Sequence, residues 1–81
     1  MTGETMKLLE KERQLDHDIL VRFLRIKRIK RQMAEELNPF SEEFDRAAEQ
    51  LKELMDEQNS RAIDRERVRG QRIDLEYRRH R

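Results

Sequence analysis

Apolar residues recur through the first half of the chain at a helical interval. Leu8, Leu15, Ile19, Phe23, Ile26, Ile29, Met33 and Leu37 are spaced by 7, 4, 4, 3, 3, 4 and 4 residues. Such spacing returns side chains to one face of an α-helix. It predicts a first helix from about Thr5 to Leu37, roughly 50 Å long at about 1.5 Å per residue. Pro39 is the only proline. The residue before a proline is pushed out of the α region, so this helix should end near Leu37. Either Asn38 caps a second helix with Pro39 at its first position, or Ser41 caps it one turn later. In both readings Glu42, Glu43 and Asp45 fall near the first turn, where the helix dipole favours acids.

The second helix opens on Phe44, Ala47, Ala48, Leu51, Leu54 and Met55. Beyond Gln58 the pattern thins to Ala62, Ile63 and Val68, and Gly70 follows. A glycine inside a helix costs about 1 kcal/mol relative to alanine. The helix is therefore expected to fray or end between Asn59 and Gly70. In RIDLEYR, Ile73, Leu75 and Tyr77 alternate as they would on a strand. The expected fold is all-α: a long antiparallel helical hairpin with a helix over about 5–37, a turn at 38–41 and a helix over about 42–60 or longer. Residues 61–81 form an Arg-rich, partly frayed extension.

Composition agrees with long helices. Ala, Glu, Lys, Leu and Arg make up 44 of 81 residues, a bias typical of coiled coils. A chain this short and polar builds only a thin core, and so should bury more surface by oligomerising or docking. Charge is close to balanced overall, at +1, so no global field draws in nucleic acid. It is segregated along the chain instead. Residues 17–34 carry six bases and one acid, and residues 35–57 carry nine acids and two bases. Folding at 38–40 sets residue i roughly opposite residue 79 − i. The basic block then lies along the acidic one, and residues 1–16 face the Arg-rich extension. Opposite charges flanking a seam set register and orientation. Each exposed pair adds only about 0–1 kcal/mol.

Leu20, Val21 and Leu24 lie off the main stripe, so the middle of the first helix has a second apolar surface that one partner helix cannot cover. This points to a non-enzymatic oligomerisation or adaptor module. Two hairpins would pack as an antiparallel four-helix bundle, giving a dimer or tetramer, or the hairpin would dock on another helical protein. The candidate interface comprises Leu15, Ile19, Leu20, Val21, Phe23, Leu24, Ile26, Ile29 and Met33 from the first helix. The second helix contributes Phe44, Leu51, Leu54 and Met55.

A different reading makes the chain a small nucleic-acid-binding regulator. Its helical core would dimerise while Arg65, Arg67, Arg69, Arg72, Arg78, Arg79 and Arg81 neutralise a polyanion, with Tyr77 as a stacking ring. Against it, the same arginines can pair with Glu4, Glu10, Glu12 and Asp16, or with Asp64, Glu66, Asp74 and Glu76. VRFLRIKRIKRQM, residues 21–33, could also be a membrane-surface or nuclear-localisation-like segment, but the acidic block opposite it offers a structural explanation.

Other chemistry is poorly supplied. His17 has Arg13, Gln14, Leu20 and Val21 as its helical neighbours, His80 is distant, and there is no cysteine. That is a poor metal set. There is no Gly-rich phosphate loop, and no cofactor is expected. Asn38-Pro39-Phe40 resembles the tripeptide ligand of EH domains, although a turn with Phe40 folded onto the seam explains the same residues. No apolar run approaches the ~18 residues of a membrane span. With no signal-peptide core at the N-terminus, a cytoplasmic or nuclear location is expected.

Overall fold

The computed structural model describes residues 3–79, apart from the side chain of Arg79. His80 and Arg81 lie outside the described residues. Two helices, α1 (Gly3–Glu35) and α2 (Glu42–Arg79), pack against each other as an all-α hairpin. The molecule is a rod, 61 × 14 × 14 Å.

α1 stops two residues short of Leu37. Both Glu36 and Leu37 donate their N–H to the Gln32 carbonyl, at 2.9 and 3.2 Å, and so close its last turn. The connection is a tight turn in which Ser41 N–H donates to the Asn38 carbonyl (3.0 Å) and Phe40 N–H to Asn38 Oδ1 (3.0 Å). Ser41 is the N-cap of α2. Its Oγ accepts from Phe44 N–H (3.2 Å) and donates to the Asn38 carbonyl (2.7 Å). The acids Glu42, Glu43 and Asp45 occupy the first turn.

Three expectations are corrected here. α2 neither frays after Asn59 nor ends at Gly70, and RIDLEYR is helical. The single glycine is outweighed by strong helix formers around it. The i,i+4 pairs Arg72–Glu76 and Arg78–Asp74 add support. Phe40 does not fold onto the seam: it is 97% exposed, because the turn aims it outward from the tip. Phe23 is likewise off the seam, half exposed, and Arg22 takes the position expected for it.

The seam itself alternates intervals of three and four without a break. On α1 it runs through Thr5, Leu8, Glu12, Leu15, Ile19, Arg22, Ile26, Ile29 and Met33. On α2 it runs through Phe44, Ala47, Leu51, Leu54, Gln58, Arg61, Arg65, Val68, Arg72 and Leu75. All of these are buried or half-buried except Arg61. This is the 3.5-residue repeat of helices that supercoil. Near the turn the pairing follows the 79 − i rule, with Arg22 on Glu57 and Asp18 on Arg61. Farther out it drifts: Asp16 pairs with Arg65 and Glu12 with Arg72, two and five residues beyond the simple rule.

Candidate interaction face

The seam changes character along its length. Near the turn, Ile26, Ile29 and Leu54 are buried, and Met33, Ala47 and Leu51 pack against them. Gln58 ends this apolar stretch by donating Nε2 to the Ile19 carbonyl at 2.9 Å. In the far half, Val68 is the buried apolar residue of α2, and arginines take the seam positions around it. Arg65 Nε, shielded from solvent, forms an ion pair with Asp16. Arg72 Nε lies 2.8 Å from Glu12 Oε2, and its Nη1 donates to Glu76 at 3.2 Å.

Glu12 is almost covered by its neighbours, yet a rod this thin holds water close on every side. The Arg72 hydrogen bond therefore prevails over desolvation, with the charges of Arg72, Arg69 and Arg65 adding to it. Together they hold the Glu12 carboxyl below the usual glutamate range. The same hydrogen bond is the main reason that Arg72 is raised.

The candidate polyanion-binding arginines are thereby divided. Arg65 and Arg72 are engaged by α1, and Arg78 pairs with Asp74 on its own helix. Arg67 and Arg69 are exposed. The side chain of Arg79 and all of Arg81 lie outside the described residues. The segment is helical through Arg79, and its seam residues Val68, Arg72 and Leu75 are buried or half-buried.

Arg22 identifies the two sides of the hairpin. It bonds Asp18 on α1 (3.0 Å) and Glu57 on α2 (3.2 Å), so those two flanks share one side. Each residue sits just before a seam position, Ile19 or Gln58. Reversing a helix mirrors its flanks, so equivalent flanks of antiparallel helices fall on the same side of the pair. The Arg22 side therefore carries Lys11, Asp18, Arg25 and Gln32 from α1, and Gln50, Glu57, Asp64 and Gln71 from α2. All eight are polar.

The opposite side is different. It carries Met6, Leu9, Leu20 and Phe23 from α1, and Ala48, Met55, Ala62 and Ile73 from α2. Charges interrupt it at Arg13, Asp16, Lys27, Lys30, Lys52, Glu66 and Arg69. Leu20, Phe23, Met55 and Ile73 are between 43% and 55% exposed, and Leu24 on the same edge is 57% exposed. Lys27 Nζ sits 5.6 Å from the Phe23 ring centroid, a cation–π contact lying on this face. At the turn end, a groove lined by Met33, Ala34, Leu37, Phe44 and Leu51 adjoins it.

The candidate interface residues thus fall into two groups. Ile26, Ile29 and Leu54 are used inside the hairpin, with Leu15, Ile19, Met33, Phe44 and Leu51 half-buried along its seam. Leu20, Phe23, Leu24 and Met55 are available to a partner. Val21 lies on the outer surface of α1, beside a shallow groove formed with Arg13, Gln14, His17 and Asp18. The seam roles of Glu12, Arg22, Gln58, Arg65 and Arg72 were missed in reading apolar residues alone. The unbroken three-four alternation, followed through polar positions, is the signal that locates them.

Among the described residues, no helix is long and apolar enough to cross a membrane. No group of three or more His, Asp or Glu side chains among them is placed to hold a metal ion. The chain matches no family model, no curated protein and no solved structure.

Proposed function

We propose that the chain is a non-enzymatic oligomerisation or adaptor module that acts through protein–protein contact in a larger assembly. One observation carries this reading. The two sides of the hairpin differ: the Arg22 side is polar apart from Val21, which is 42% exposed, whereas the other is lined by half-exposed Leu20, Phe23 and Met55, with Leu24 at its outer edge. Scattered surface leucines need no explanation, but an apolar strip concentrated on one side fits a docking surface. Fully burying such a side chain contributes about 1.5–3 kcal/mol. Among the described residues, the buried apolar side chains within the hairpin are few: Ile26, Ile29, Leu54 and Val68.

The test is the double variant Leu20→Glu, Leu24→Glu, followed by light scattering after size exclusion and by circular dichroism. Both residues point away from α2, so helicity should persist while the assembled mass falls to that of a monomer. An unchanged mass with unchanged helicity would remove this face as the interface.

The tip offers the adaptor reading a second contact. Phe40 stands free of the hairpin on a turn already ordered by Asn38 and Ser41, within the Asn38-Pro39-Phe40 triplet that resembles an EH-domain ligand. Phe40→Ala should abolish binding to an isolated EH domain in a titration. Equal binding by both forms, or none by either, would discard the tip as a ligand.

A further inference from the structure

We infer that the outward face of α1, over residues 20–31, binds the surface of an anionic bilayer. The acidic block of α2 does not neutralise the basic block beside it. Of the six cations in residues 17–34, only Arg22 reaches an acid of α2. Arg31 pairs with Glu35 on its own helix. Among the described residues, Arg25, Lys27, Arg28 and Lys30 form no ion pair, and all four are exposed. Between Asp18 and Glu35, α1 carries no acid at all. The pairing expected from the charge blocks therefore accounts for one cation and leaves a basic collar around two turns of α1.

Arg22, Ile26 and Ile29 mark the side of α1 that meets α2. At about 100° per residue, Leu24 and Arg31 point directly away from it. Leu20 and Lys27 flank that outward line on one side, and Val21 and Arg28 flank it toward the Arg22 side. The face thus repeats one arrangement a heptad apart, first as Leu20, Val21 and Leu24, then as Lys27, Arg28 and Arg31. The apolar three are between 42% and 57% exposed. The cationic three follow about 10 Å along the axis. Val21, Arg25, Arg28 and Arg31 lie outside the apolar side described above, so the inference does not depend on what covers that side.

An anionic bilayer answers both groups. Its headgroups offer phosphate and carboxylate to the cations. Its outer acyl layer takes up aliphatic side chains to the depth of about 5–10 Å that helices lying in the interface reach. A nucleic acid would use the cations alone. Leu20, Val21 and Leu24 have nothing to bond to phosphate, and the nearest ring, Phe23, sits under Lys27 rather than open to a base. The opposite surface of the rod fits the same orientation. On the back of α2, Glu42, Glu49 and Asp56 are exposed and a heptad apart. The rod is 14 Å across, more than the screening length of about 8 Å at physiological salt. With α1 against the bilayer, those acids stand beyond its field.

The chain has no tryptophan, so Leu24→Trp places a single reporter on the face. Ile63→Trp places one on the back of α2, where Ile63 is 62% exposed. Each is titrated with vesicles of phosphatidylcholine alone and with vesicles in which one lipid in three is phosphatidylserine. The expected result is a blue shift at position 24 with the anionic vesicles only, no shift at position 63, and flotation of the unaltered chain with the same vesicles. A basic residue near an anionic surface is worth about fivefold in binding, so adding Lys27→Gln and Arg28→Gln to the Leu24→Trp chain should weaken it about 25-fold, with helicity unchanged. Equal shifts with phosphatidylcholine alone would overturn the part assigned to charge. Equal shifts at positions 24 and 63 would overturn the face. A buried reporter at position 24 before any vesicle is added would mean that protein covers it, and would overturn the inference. So would failure of the unaltered chain to float, or tighter binding to a DNA duplex than to the anionic vesicles. The docking reading is judged separately, by the assembled mass.

Discussion

The two halves of the hairpin use the same three-four repeat for opposite chemistry. Near the turn, the repeat holds Ile26, Ile29, Met33, Leu51 and Leu54, and packing is the source of adhesion. In the far half it holds Glu12, Arg65 and Arg72 around Val68, and the helices are joined by the Arg65–Asp16 ion pair and the charge-assisted hydrogen bond from Arg72 to Glu12. The difference shows that a seam can stay continuous where charged residues alternate with its apolar ones. It also implies unequal stability. Apolar burial needs no partner of matched geometry, whereas each of these arginines is held across the seam by one acid of α1 and depends on that acid's charge.

The largest effect is expected where packing dominates. Leu54→Ala should cost about 2–5 kcal/mol, read as a fall in the urea midpoint of the whole hairpin. A loss confined to the far half would break the comparison. Glu12→Ala should have a smaller and more local effect: faster amide exchange in residues 61–79 and at the start of α1, with protection near the turn retained. Uniform loss of protection would show that the hairpin unfolds as one unit. Replacing the pair by Glu12→Leu with Arg72→Leu should leave stability equal or higher, because a hydrophobic pair needs no desolvation of charge.

The same pair sets a pH dependence. The Glu12 carboxyl is held below its ordinary value when folded. Its stabilisation is therefore complete above the unfolded glutamate value, about pH 4.3, and is lost as pH falls through the depressed one. Urea midpoints between pH 6 and pH 3 should drop, and Glu12→Gln should flatten that drop. A slope unchanged in the variant would assign the acid sensitivity elsewhere.

Two smaller changes probe the ends of the comparison. Ser41→Ala removes the cap of α2 and should cost about 1 kcal/mol. Gly70→Ala should stabilise by roughly 0.5–1 kcal/mol, since a Cβ there meets nothing within 4 Å and glycine is a poor helix former. Thermal denaturation resolves both. If Gly70→Ala were destabilising, the far half would not be the regular helix described.

Much of this was legible beforehand. Pro39, the apolar stripes and the opposed charge blocks were enough for a hairpin, its turn and a near-turn register. That α1 keeps apolar residues off the seam was visible in Leu20, Val21 and Leu24, although Val21 falls on the Arg22 side rather than beside Leu20. Less legible was the continuation of α2. Apolar periodicity ends at Gln58 because arginine stems, which can cover apolar surface while their heads reach carboxylates, replace leucine at the seam. Phe23 and Arg22 were exchanged for a related reason. Both fit a helical spacing locally, and hydrophobicity favours Phe23, but the two-helix seam follows a 3.5-residue repeat that reaches Arg22.

By itself, the amino-acid order determined what is local or one-dimensional: where helix can form, where proline forbids it, and which charge blocks must meet when the chain doubles back. Tertiary structure decided what depends on two helices at once. It chose which of two neighbouring residues faces the seam, which arginines bind acids and which remain exposed, and which side of the rod keeps its apolar residues uncovered. A side chain's position around its own helix follows from its number, but its burial depends on the helix opposite.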